Sequence, residues 1–465
     1  MVTPLKIGFV SLGCPKNTVD SEVMLGHLSR QGARFTLDMD EADVIVVNTC
    51  GFIAPAKEES IEAILEAVRR KRDGRCRRLV VSGCLVQRYR GELEQEVPEI
   101  DAFVDLDGLE EIGAAAGLPA PAPRGLPLPA LPASPPGQAP SAPHLPYAAT
   151  YLYHSGTPRL RTGFPWSAYL KIAEGCDNAC SFCAIPRFRG SFRSRPLADI
   201  VAEARRLAGE GVVELNLVAQ DSTAYGADLG LSRGPARLLE ALSQVDGLRW
   251  VRLFYIFPNK LDDSLLEVIG TRRRVARYLD IPFQHASRPV LARMRRGGSA
   301  GSHLRLLERI RRWIPEATLR TTLLVGFPGE TDADFETLCE FVSAARFDHL
   351  GVFEYSHEEQ TGSGRLEDDV PTSLKRERAL RIMSLQKEIA GSLNAARVGQ
   401  TVAVLCEGPS SGPERLLQGR REGQAPEIDG RVLITAGEAA PGDFVHVRIT
   451  GSRPFDLVGR SLGPV

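Results

Sequence analysis

The sequence lacks any apolar run of the roughly 18 residues that a membrane-spanning helix needs. It also lacks the basic N-terminal region that precedes the apolar part of a secretion signal. Charge of either sign is not in excess, because 57 Lys and Arg face 58 Asp and Glu, for a net charge of −1. Such a chain has no global field to attract nucleic acid or anionic lipid, so any nucleic-acid contact must be local. We expect a cytoplasmic protein with no membrane partner.

The length of the chain predicts several domains. With 465 residues and 43% apolar content, the protein can bury two or three separate cores. Residues 119–146 contain 11 of the 32 prolines, a composition that favours extended polyproline II over helix or strand. We therefore predict folded segments at 4–118, 160–393 and 395–463, with a proline-rich linker at 119–150.

The first segment alternates short apolar runs with amphipathic stretches. The pattern predicts strands at 6–12, 43–48 and 78–82, and helices at 18–30 and 56–71. Strands that alternate with helices form parallel sheets covered on both faces. The first segment is therefore predicted to be a parallel α/β domain.

The second segment repeats this alternation on a larger scale and the third does not. Six apolar runs predict a partial (β/α) barrel with its site at the carboxyl ends of the strands; they are Ala168–Ala173, Val212–Ala219, Trp250–Phe257, Tyr278–Phe283, Leu319–Val325 and Leu350–Tyr355. From Gln400 onward, short strands separated by Gly, Pro and Asp predict a small antiparallel β-barrel. The predicted class is α/β, with this barrel at the C-terminus.

Nine cysteines in a chain without an export signal favour metal ligation or catalysis over disulfides. Cys14, Cys50 and Cys84 each follow a predicted buried strand and lie beside a glycine, which favours a shared metal or cluster at one sheet edge. The alternative is that they are three buried small residues. The remaining cysteines outside the motif described next are predicted to be structural: Cys76, Cys339 and Cys406.

A second cysteine group, Cys176, Cys180 and Cys183, has CxxxCxxC spacing on the loop after the first predicted barrel strand. Three thiolates from one turn can bind three irons of a cubane and leave the fourth iron open for a small molecule. Structural zinc is the alternative, but it usually requires four protein ligands, and no fourth Cys or His follows nearby.

Arginine-rich stretches allow more than one interpretation. The run 187–195 could line the mouth of a site for a carboxylate, hold phosphates, or face solvent. The clusters 272–274 and 293–296 are most simply solvated helix ends. From Asn394 to the end, eight Arg and Lys face eight Asp and Glu, whereas a barrel that grips RNA should be basic.

The CxxxCxxC motif, with Phe182 as its aromatic residue, resembles the signature of the radical S-adenosylmethionine (SAM) enzymes. A three-cysteine domain in front and a TRAM-like barrel behind resemble the methylthiotransferases of that superfamily. The resemblance implies two [4Fe-4S] clusters and SAM. Cys176, Cys180 and Cys183 would be the catalytic set, holding the cluster that binds SAM and cleaves it to a 5′-deoxyadenosyl radical. The cluster on Cys14, Cys50 and Cys84 would present the sulfur that becomes methylated and transferred.

The same resemblance implies further contacts. Phe182 would lie near the adenine of SAM, and Gln220, at the carboxyl end of a barrel strand, would contact the cofactor. A low-potential electron donor and a sulfur source would be partners.

Several motifs are similar to the branch that modifies an aspartate of small-subunit ribosomal protein twelve, among them SLGCPKNTVDSE, NTCGFIAPAKEESI and YLDIPFQHAS. The alternative is the branch that modifies an adenosine of transfer RNA, whose usual GCQMN, NTCSVR and GQNVNSYG are absent. A second alternative, from another functional class, is a non-enzymatic iron–sulfur or zinc scaffold that binds the ribosome.

Overall fold

The structure is a computed structural model that describes residues 5–119, 148–410 and 416–465. The predicted proline-rich linker lies almost wholly outside these ranges. The chain divides into two compact units. The first unit comprises Met1–Thr162, Glu174–Asp177 and Ala184–Phe192; the second comprises Gly163–Ala173, Asn178–Cys183 and Arg193–Val465. Within the described ranges, no helix is both long and apolar enough to cross a membrane.

The first unit is built on five strands: β1 (Lys6–Ser11), β2 (Arg34–Thr36), β3 (Val44–Thr49), β4 (Arg78–Gly83) and β5 (Ala102–Val104). Its helices are α1 (Pro15–Arg30), α2 (Ala54–Asp73), α3 (Cys84–Glu96), α4 (Ile112–Ala115) and α5 (Ile185–Arg189), with short 3₁₀ turns at Met39–Glu41 and Leu109–Glu111. All strand pairs are parallel, in the order β2-β1-β3-β4-β5. The predicted parallel α/β fold is confirmed.

The central strand of this sheet shows why the sequence pattern was informative. Every residue of β3 is buried, because helices cover both faces of the sheet, and its sequence VIVVNT is accordingly an almost continuous apolar run. Strands β2 and β5 have only three residues each, and sequence analysis missed them. Strands this short carry too little periodicity to be distinguished from loops.

The second unit begins with eight strands: β6 (Ser167–Lys171), β7 (Ala173–Glu174, whose last residue belongs to the first unit), β8 (Arg193–Ser194), β9 (Glu214–Val218), β10 (Trp250–Leu253), β11 (Tyr278–Asp280), β12 (Thr318–Val325) and β13 (His349–Glu354). Its helices are α6 (Leu197–Gly209), α7 (Gly234–Leu242), α8 (Asp263–Thr271), α9 (Arg288–Arg293), α10 (Ala300–Trp313), α11 (Asp332–Ala345) and α12 (Thr372–Ala395). Three 3₁₀ turns lie at Ser222–Ala224, Pro258–Lys260 and Ser363–Arg365.

The six predicted barrel strands are all present as β6, β9, β10, β11, β12 and β13. They form two three-stranded parallel sheets, β6-β9-β10 and β11-β12-β13, and a parallel bridge links Val251 of β10 to Val275 just before β11. Several strands are shorter than the apolar runs that predicted them. The run from Trp250, for example, ends as a strand at Leu253, and Tyr255 beyond it has a left-handed φ of 59°.

The C-terminal strands are β14 (Thr401–Pro409), β15 (Leu417–Arg421), β16 (Val432–Ala436), β17 (Phe444–Ser452) and β18 (Leu457–Pro464). They close a barrel in the order β14-β15-β16-β18-β17 around buried valines such as Val404, Val432 and Val447. The predicted small barrel is confirmed with one difference in pairing: β16 and β18 run parallel, whereas the other neighbours are antiparallel.

A buried ion-pair cluster ties this barrel to the parallel strands of the same unit. Glu214 at the start of β9 is fully buried and accepts hydrogen bonds from Arg252 (3.1 Å), Arg420 of β15 (2.6 Å) and Ser167 (2.8 Å). Burial alone would raise the pKa of Glu214, but Arg420 and Arg252 outweigh it and lower the pKa to about 2. The carboxylate therefore stays charged and holds neighbouring strands of one parallel sheet to one barrel strand.

We expect Arg420→Met to lower the free energy of unfolding of this unit by about 3 kcal/mol, because it leaves a buried carboxylate with one guanidinium fewer. All three tryptophans, Trp166, Trp250 and Trp313, lie in the second unit, so urea unfolding followed by tryptophan fluorescence reports on it. The control is Arg381→Met, which removes an exposed ion pair with Glu336 and should cost less than about 1 kcal/mol.

The same cluster predicts a dependence on pH. A carboxylate with a lowered folded-state pKa contributes stability above its unfolded value of 4.5, and this contribution is lost as the pH falls towards 2. The wild-type chain should therefore lose more stability than Arg420→Met between these two pH values. Equal losses of unfolding free energy in the two proteins would show that Arg420 does not lower the pKa of Glu214.

Candidate metal centres

Three of the predicted ligands lie at the carboxyl edge of the first unit's sheet. The parallel register places three residues of β1, β3 and β4 side by side, namely Ser11, Asn48 and Ser82. Cys14, Cys50 and Cys84 follow these residues by three, two and two positions. Since neighbouring strands lie about 4.8 Å apart, the strand ends that carry these thiols span only about 10 Å.

Each of these thiols also lies at or near the start of a helix. Cys14 is the N-cap residue of α1, Cys84 is the first residue of α3, and Cys50 precedes the start of α2 at Ala54 by four residues. The unpaired N–H groups and the positive dipole end of a helix N-terminus favour negative charge. This location therefore suits thiolates and an anionic cluster bound to them.

Buried polar side chains hold the loops that carry the thiols. Asn17 donates hydrogen bonds to the carbonyls of Leu12 (2.6 Å) and Thr49 (3.2 Å), which joins the loops after β1 and β3. The hydroxyl of Ser60 accepts a hydrogen bond from the backbone N–H of Cys50 at 2.9 Å. The backbone around the thiols is thereby fixed by the protein itself.

Two of the neighbouring glycines are required by this packing. Gly13 and Gly83 have φ values of 94° and 98°, which residues with a side chain rarely adopt. A Cβ on Gly13 would lie 2.9 Å from the Cβ of Cys50, and a Cβ on Gly83 would lie 2.4 Å from Oδ1 of Asn48. Gly13 and Gly83 are thus needed for the close packing of the loops against one another.

Arg189, on α5, reaches the thiol edge from within the same unit. Its side chain is only 3% exposed. Its Nη2 donates to Sγ of Cys84 (3.1 Å) and to Asp20 (3.1 Å), while Nη1 donates to Glu174 (3.0 Å). Nothing in the sequence distinguishes this residue from the rest of the run 187–195, for which a site mouth, a phosphate contact and a solvated surface are all open predictions.

The three thiols differ in their tendency to ionise. Burial would raise the pKa of Cys14, but the charges of Lys16 and Arg189 outweigh it, and the pKa is lowered. Burial raises the pKa of Cys84 in spite of Arg189. Burial and the charges of Cys84 and Cys14 raise the pKa of Cys50 to about 12. The three thiols therefore influence one another's ionisation.

The CxxxCxxC loop divides between the two units. Cys176 belongs to the first unit, where it is buried and donates its backbone N–H to the carbonyl of Gly190 (3.1 Å). Cys180 and Cys183 belong to the second unit and are partly exposed, and the N–H of Cys183 donates to the carbonyl of Cys180 (3.2 Å). The spacing of the motif keeps all three within eight residues of chain.

Residues between the cysteines are held by the strand ends of the second unit. Asn178 donates to the buried carboxylate of Asp221 (2.8 Å), just beyond β9, and Lys260 donates to both residues (2.9 and 2.7 Å). Ser181 accepts a hydrogen bond at its carbonyl from the N–H of Ser363 (2.7 Å). The loop is therefore supported at the carboxyl ends of the parallel strands, where the site was predicted.

Arg296 contacts the second cysteine set. Its Nη1 donates to Sγ of Cys180 (3.3 Å), and its Nη2 donates to the carbonyl of Pro282 (2.7 Å). The prediction that 293–296 is a solvated helix end is wrong for this residue, which is 9% exposed. The prediction for 187–195 also fails for Arg195, which is fully buried and paired with Asp199 and Glu203.

Of the two predicted cofactor-binding residues, Phe182 lies within this loop and Gln220 lies beyond the end of β9. Phe182 is partly buried and packs against a core cluster that includes Met294, Phe327 and Tyr355. Gln220 is partly exposed and follows the end of β9 by two residues. Their contacts with SAM stay predictions.

The donor sets fit iron–sulfur clusters in their chemistry. Each set offers three cysteine sulfurs, the usual ligands of such clusters, and each has an arginine N–H directed at one sulfur. In the part of the chain that the structure describes, no three His, Cys, Asp or Glu side chains converge as the ligands of a single metal ion would. The cysteines predicted to be structural are buried and reduced: Cys76, Cys339 and Cys406.

Comparison with known families accounts for most of the chain. Residues 6–105 match the model described as "Uncharacterized protein family UPF0004". Residues 170–342 match the "Radical SAM superfamily", and residues 398–462 match the "TRAM domain". The predicted fold class is thereby confirmed in all three parts.

Two relatives that match nearly the whole chain carry the same name. The chain is 46% identical over 466 residues to "Ribosomal protein uS12 methylthiotransferase RimO" of Solibacter usitatus, covering 99% of this chain and 95% of that protein. It is 48% identical to the protein of the same name from an Anaeromyxobacter species, covering 97% and 92%.

Among solved structures, the fold resembles the radical SAM methyltransferase TsrM from Kitasatospora setae. The TM-score is 0.53 at 18% identity, covering 78% of this chain and 77% of that one. At this level of identity, the likeness shows the fold alone.

We expect the thiols of the first set to differ in reactivity in reduced protein from which metal has been removed by a chelator. At about pH 8, iodoacetamide should alkylate Cys14 faster than Cys50, because only thiolates react and Cys14 has the lower pKa. Peptide mass spectrometry over a time course measures both rates. Cys76, whose pKa is raised by burial, is the slow internal control. Faster labelling of Cys50 than of Cys14 would show that the described electrostatics are wrong.

Proposed function

Since this chain belongs to the RimO family of methylthiotransferases, we propose that it transfers a methylthio group to the β-carbon of an aspartate in ribosomal protein uS12. The enzyme is a radical SAM methylthiotransferase. Its use of an iron–sulfur cluster and of SAM follows from the superfamily. The identity of the substrate, the second cluster and the role of each residue are the parts that we propose.

One observation carries the proposal. Cys14, Cys50 and Cys84 lie together at one sheet edge, in a unit built separately from the radical SAM strands. A radical SAM enzyme needs only one three-cysteine set to cleave SAM. A second set of three cysteines at one sheet edge supports a second [4Fe-4S] cluster. Sulfur insertion requires such a second cluster, with a task separate from SAM cleavage.

We assign the two cysteine sets different roles. Cys176, Cys180 and Cys183 would hold the cluster at which SAM binds, and Cys14, Cys50 and Cys84 would hold the other. When bound, these groups supply the low-potential electron for reductive SAM cleavage and the sulfur for transfer, neither of which a protein side chain can provide.

The protein's own residues bind, orient and exclude water. Cys84 lies in an apolar cluster with Leu106, Ala149 and Phe188, so water has little access to this side of the first set. The Asp221–Lys260 pair fixes Asn178 and with it the backbone between Cys176 and Cys180. Phe182 and Gln220 are proposed to contact SAM from the same loop and from the end of β9.

The protein substrate is favoured over transfer RNA by two observations. The relatives from Solibacter usitatus and Anaeromyxobacter are named for uS12, and the C-terminal barrel is neutral, with eight basic and eight acidic residues from Asn394 onward. RNA binding depends on excess positive charge against phosphates. A ribosomal substrate also supports a cytoplasmic location, and the reaction implies a low-potential electron donor and a sulfur source as further partners.

Replacing the two cysteine sets separately tests whether one set serves SAM cleavage and the other serves sulfur transfer. We expect the triple variant Cys176→Ala, Cys180→Ala, Cys183→Ala to release no 5′-deoxyadenosine from SAM, because the site of cleavage is gone. The triple variant Cys14→Ala, Cys50→Ala, Cys84→Ala should still release it but should form no methylthiolated product. Chromatography of the nucleosides and mass spectrometry of the substrate measure both steps.

Cys339→Ala, which removes a buried cysteine outside both sets, serves as the control and should retain both steps. Fully methylthiolated product from the Cys14, Cys50, Cys84 variant would refute the role of that set.

The substrate itself is tested with small ribosomal subunits. The anaerobically reconstituted enzyme, incubated with reductant, sulfide and SAM, should add one methylthio group to uS12, as read from intact protein masses. Unmodified uS12 together with accumulating 5′-deoxyadenosine would redirect the proposal to transfer RNA. Absence of 5′-deoxyadenosine would favour a non-enzymatic scaffold.

A further inference from the structure

Arg296 is a buried cation to which the described part of the chain offers no carboxylate partner. Its side chain lies in the second unit, 9% exposed, with the guanidinium 4.4 Å from the centre of the Phe257 ring. Its hydrogen bonds go to the carbonyl of Pro282 (2.7 Å) and to Sγ of Cys180 (3.3 Å). Among the residues that the structure describes, none contributes a carboxylate in ion-pair contact with it.

Other buried arginines of the same unit are paired differently. Arg252 is paired with Glu214 (3.1 Å), Arg195 with Glu203 (2.7 Å), and Arg378 with Glu330 (3.0 Å). Burying a guanidinium without an anion costs several kcal/mol, so buried arginines are normally compensated. Arg296 is the exception in this comparison, and the group it faces is a sulfur that becomes anionic when it binds iron.

We propose that Arg296 is the positioning residue of the SAM-binding cluster, donating an N–H to the Cys180 thiolate and offsetting the negative charge of the cluster. This inference rests on the proposed function, which places a cluster on Cys176, Cys180 and Cys183. A hydrogen bond to a ligand sulfur and a nearby positive charge both stabilise the reduced cluster more than the oxidised one. Arg296 therefore raises the midpoint potential and makes the cluster easier to reduce.

The first cysteine set shows a contrasting arrangement. Arg189 also donates to a ligand sulfur, but it lies between Asp20 and Glu174 at 3.1 and 3.0 Å, and these carboxylates balance its charge. Arg189 therefore acts on Cys84 through its hydrogen bond and through a charge that two neighbouring carboxylates offset in part. Of the two arginines that donate to a ligand sulfur, Arg296 is the one with no carboxylate partner among the described residues, and it lies at the set that must accept an electron for SAM cleavage.

The test isolates one cluster and measures its potential. In full-length protein carrying Cys14→Ala, Cys50→Ala and Cys84→Ala, the remaining cluster is titrated by electron paramagnetic resonance without SAM, so that cofactor binding cannot cause a shift. We compare Arg296, Arg296→Gln and Arg296→Lys, together with Arg293→Gln as the matched control. Arg293 is a neighbouring arginine that donates to the carbonyls of Pro328 and Gly329 and contacts no sulfur.

We expect a more negative midpoint potential in Arg296→Gln, a smaller shift in Arg296→Lys, and none in Arg293→Gln. Removing a buried charge that has no carboxylate should not unfold the unit, and equal iron content in all four proteins checks this. If Arg296→Gln takes up no iron, the midpoint potential of Arg296→Lys is compared with that of Arg293→Lys instead. The more negative value is then expected in Arg296→Lys. Equal midpoint potentials in the Arg296 variants and the parent at full iron content, or an equal shift in the Arg293 variant, would overturn the inference about Arg296. Either result would leave the proposed function standing. A parent protein without any cluster would overturn the proposed function and this inference with it.

Discussion

Three parallel strands, β1, β3 and β4, end side by side, and each leads into the start of a helix within a few residues. This single constraint brings Cys14, Cys50 and Cys84 to one edge, although they are 36 and 34 residues apart in the chain. Parallel pairing requires a long crossover between strands, and the intervening helices supply it. The helices also place three positive dipole ends at the edge where thiolates are needed. Sheet topology, not local sequence, therefore builds this site.

The second cysteine set is brought together by local sequence and not by sheet topology. Cys176, Cys180 and Cys183 lie within one short loop, so the spacing of the motif brings them together and the fold only has to hold the loop. It does so with buried polar contacts, chiefly from Asp221 and Ser363. Both sites place an arginine N–H against a sulfur, which links the packing of each unit to the charge that a bound cluster would bring.

Charge compensation recurs through the second unit. Glu214 is held by Arg252 and Arg420, and this cluster joins the C-terminal barrel to the parallel strands. Such buried pairs add little net stability over apolar packing, but a displaced partner would leave a buried charge unpaired, which disfavours other arrangements of the groups that they join. The barrel is therefore held in a defined position against the strands of its own unit.

The strand pattern and both cysteine sets could be predicted from sequence because each has a local signature: a buried apolar run followed by Gly and Cys, or three cysteines at fixed spacing. Strands β2 and β5 could not, since three residues carry no period. Arg189, Arg195 and Arg296 were misinterpreted for a different reason. A buried arginine and a solvated one look identical in a run of arginines, and only the tertiary fold shows which of them faces a carboxylate or a sulfur.

The central claim is that the chain holds two clusters on two separate cysteine sets. Mössbauer spectroscopy of ⁵⁷Fe-reconstituted protein, with iron and sulfide quantified per chain, tests it most directly. Two [4Fe-4S] clusters in the wild-type chain and one in each triple-alanine variant are the predicted result. A single cluster that disappears in both triple variants, or a wild-type content that Cys14→Ala, Cys50→Ala and Cys84→Ala leave unchanged, would contradict the claim.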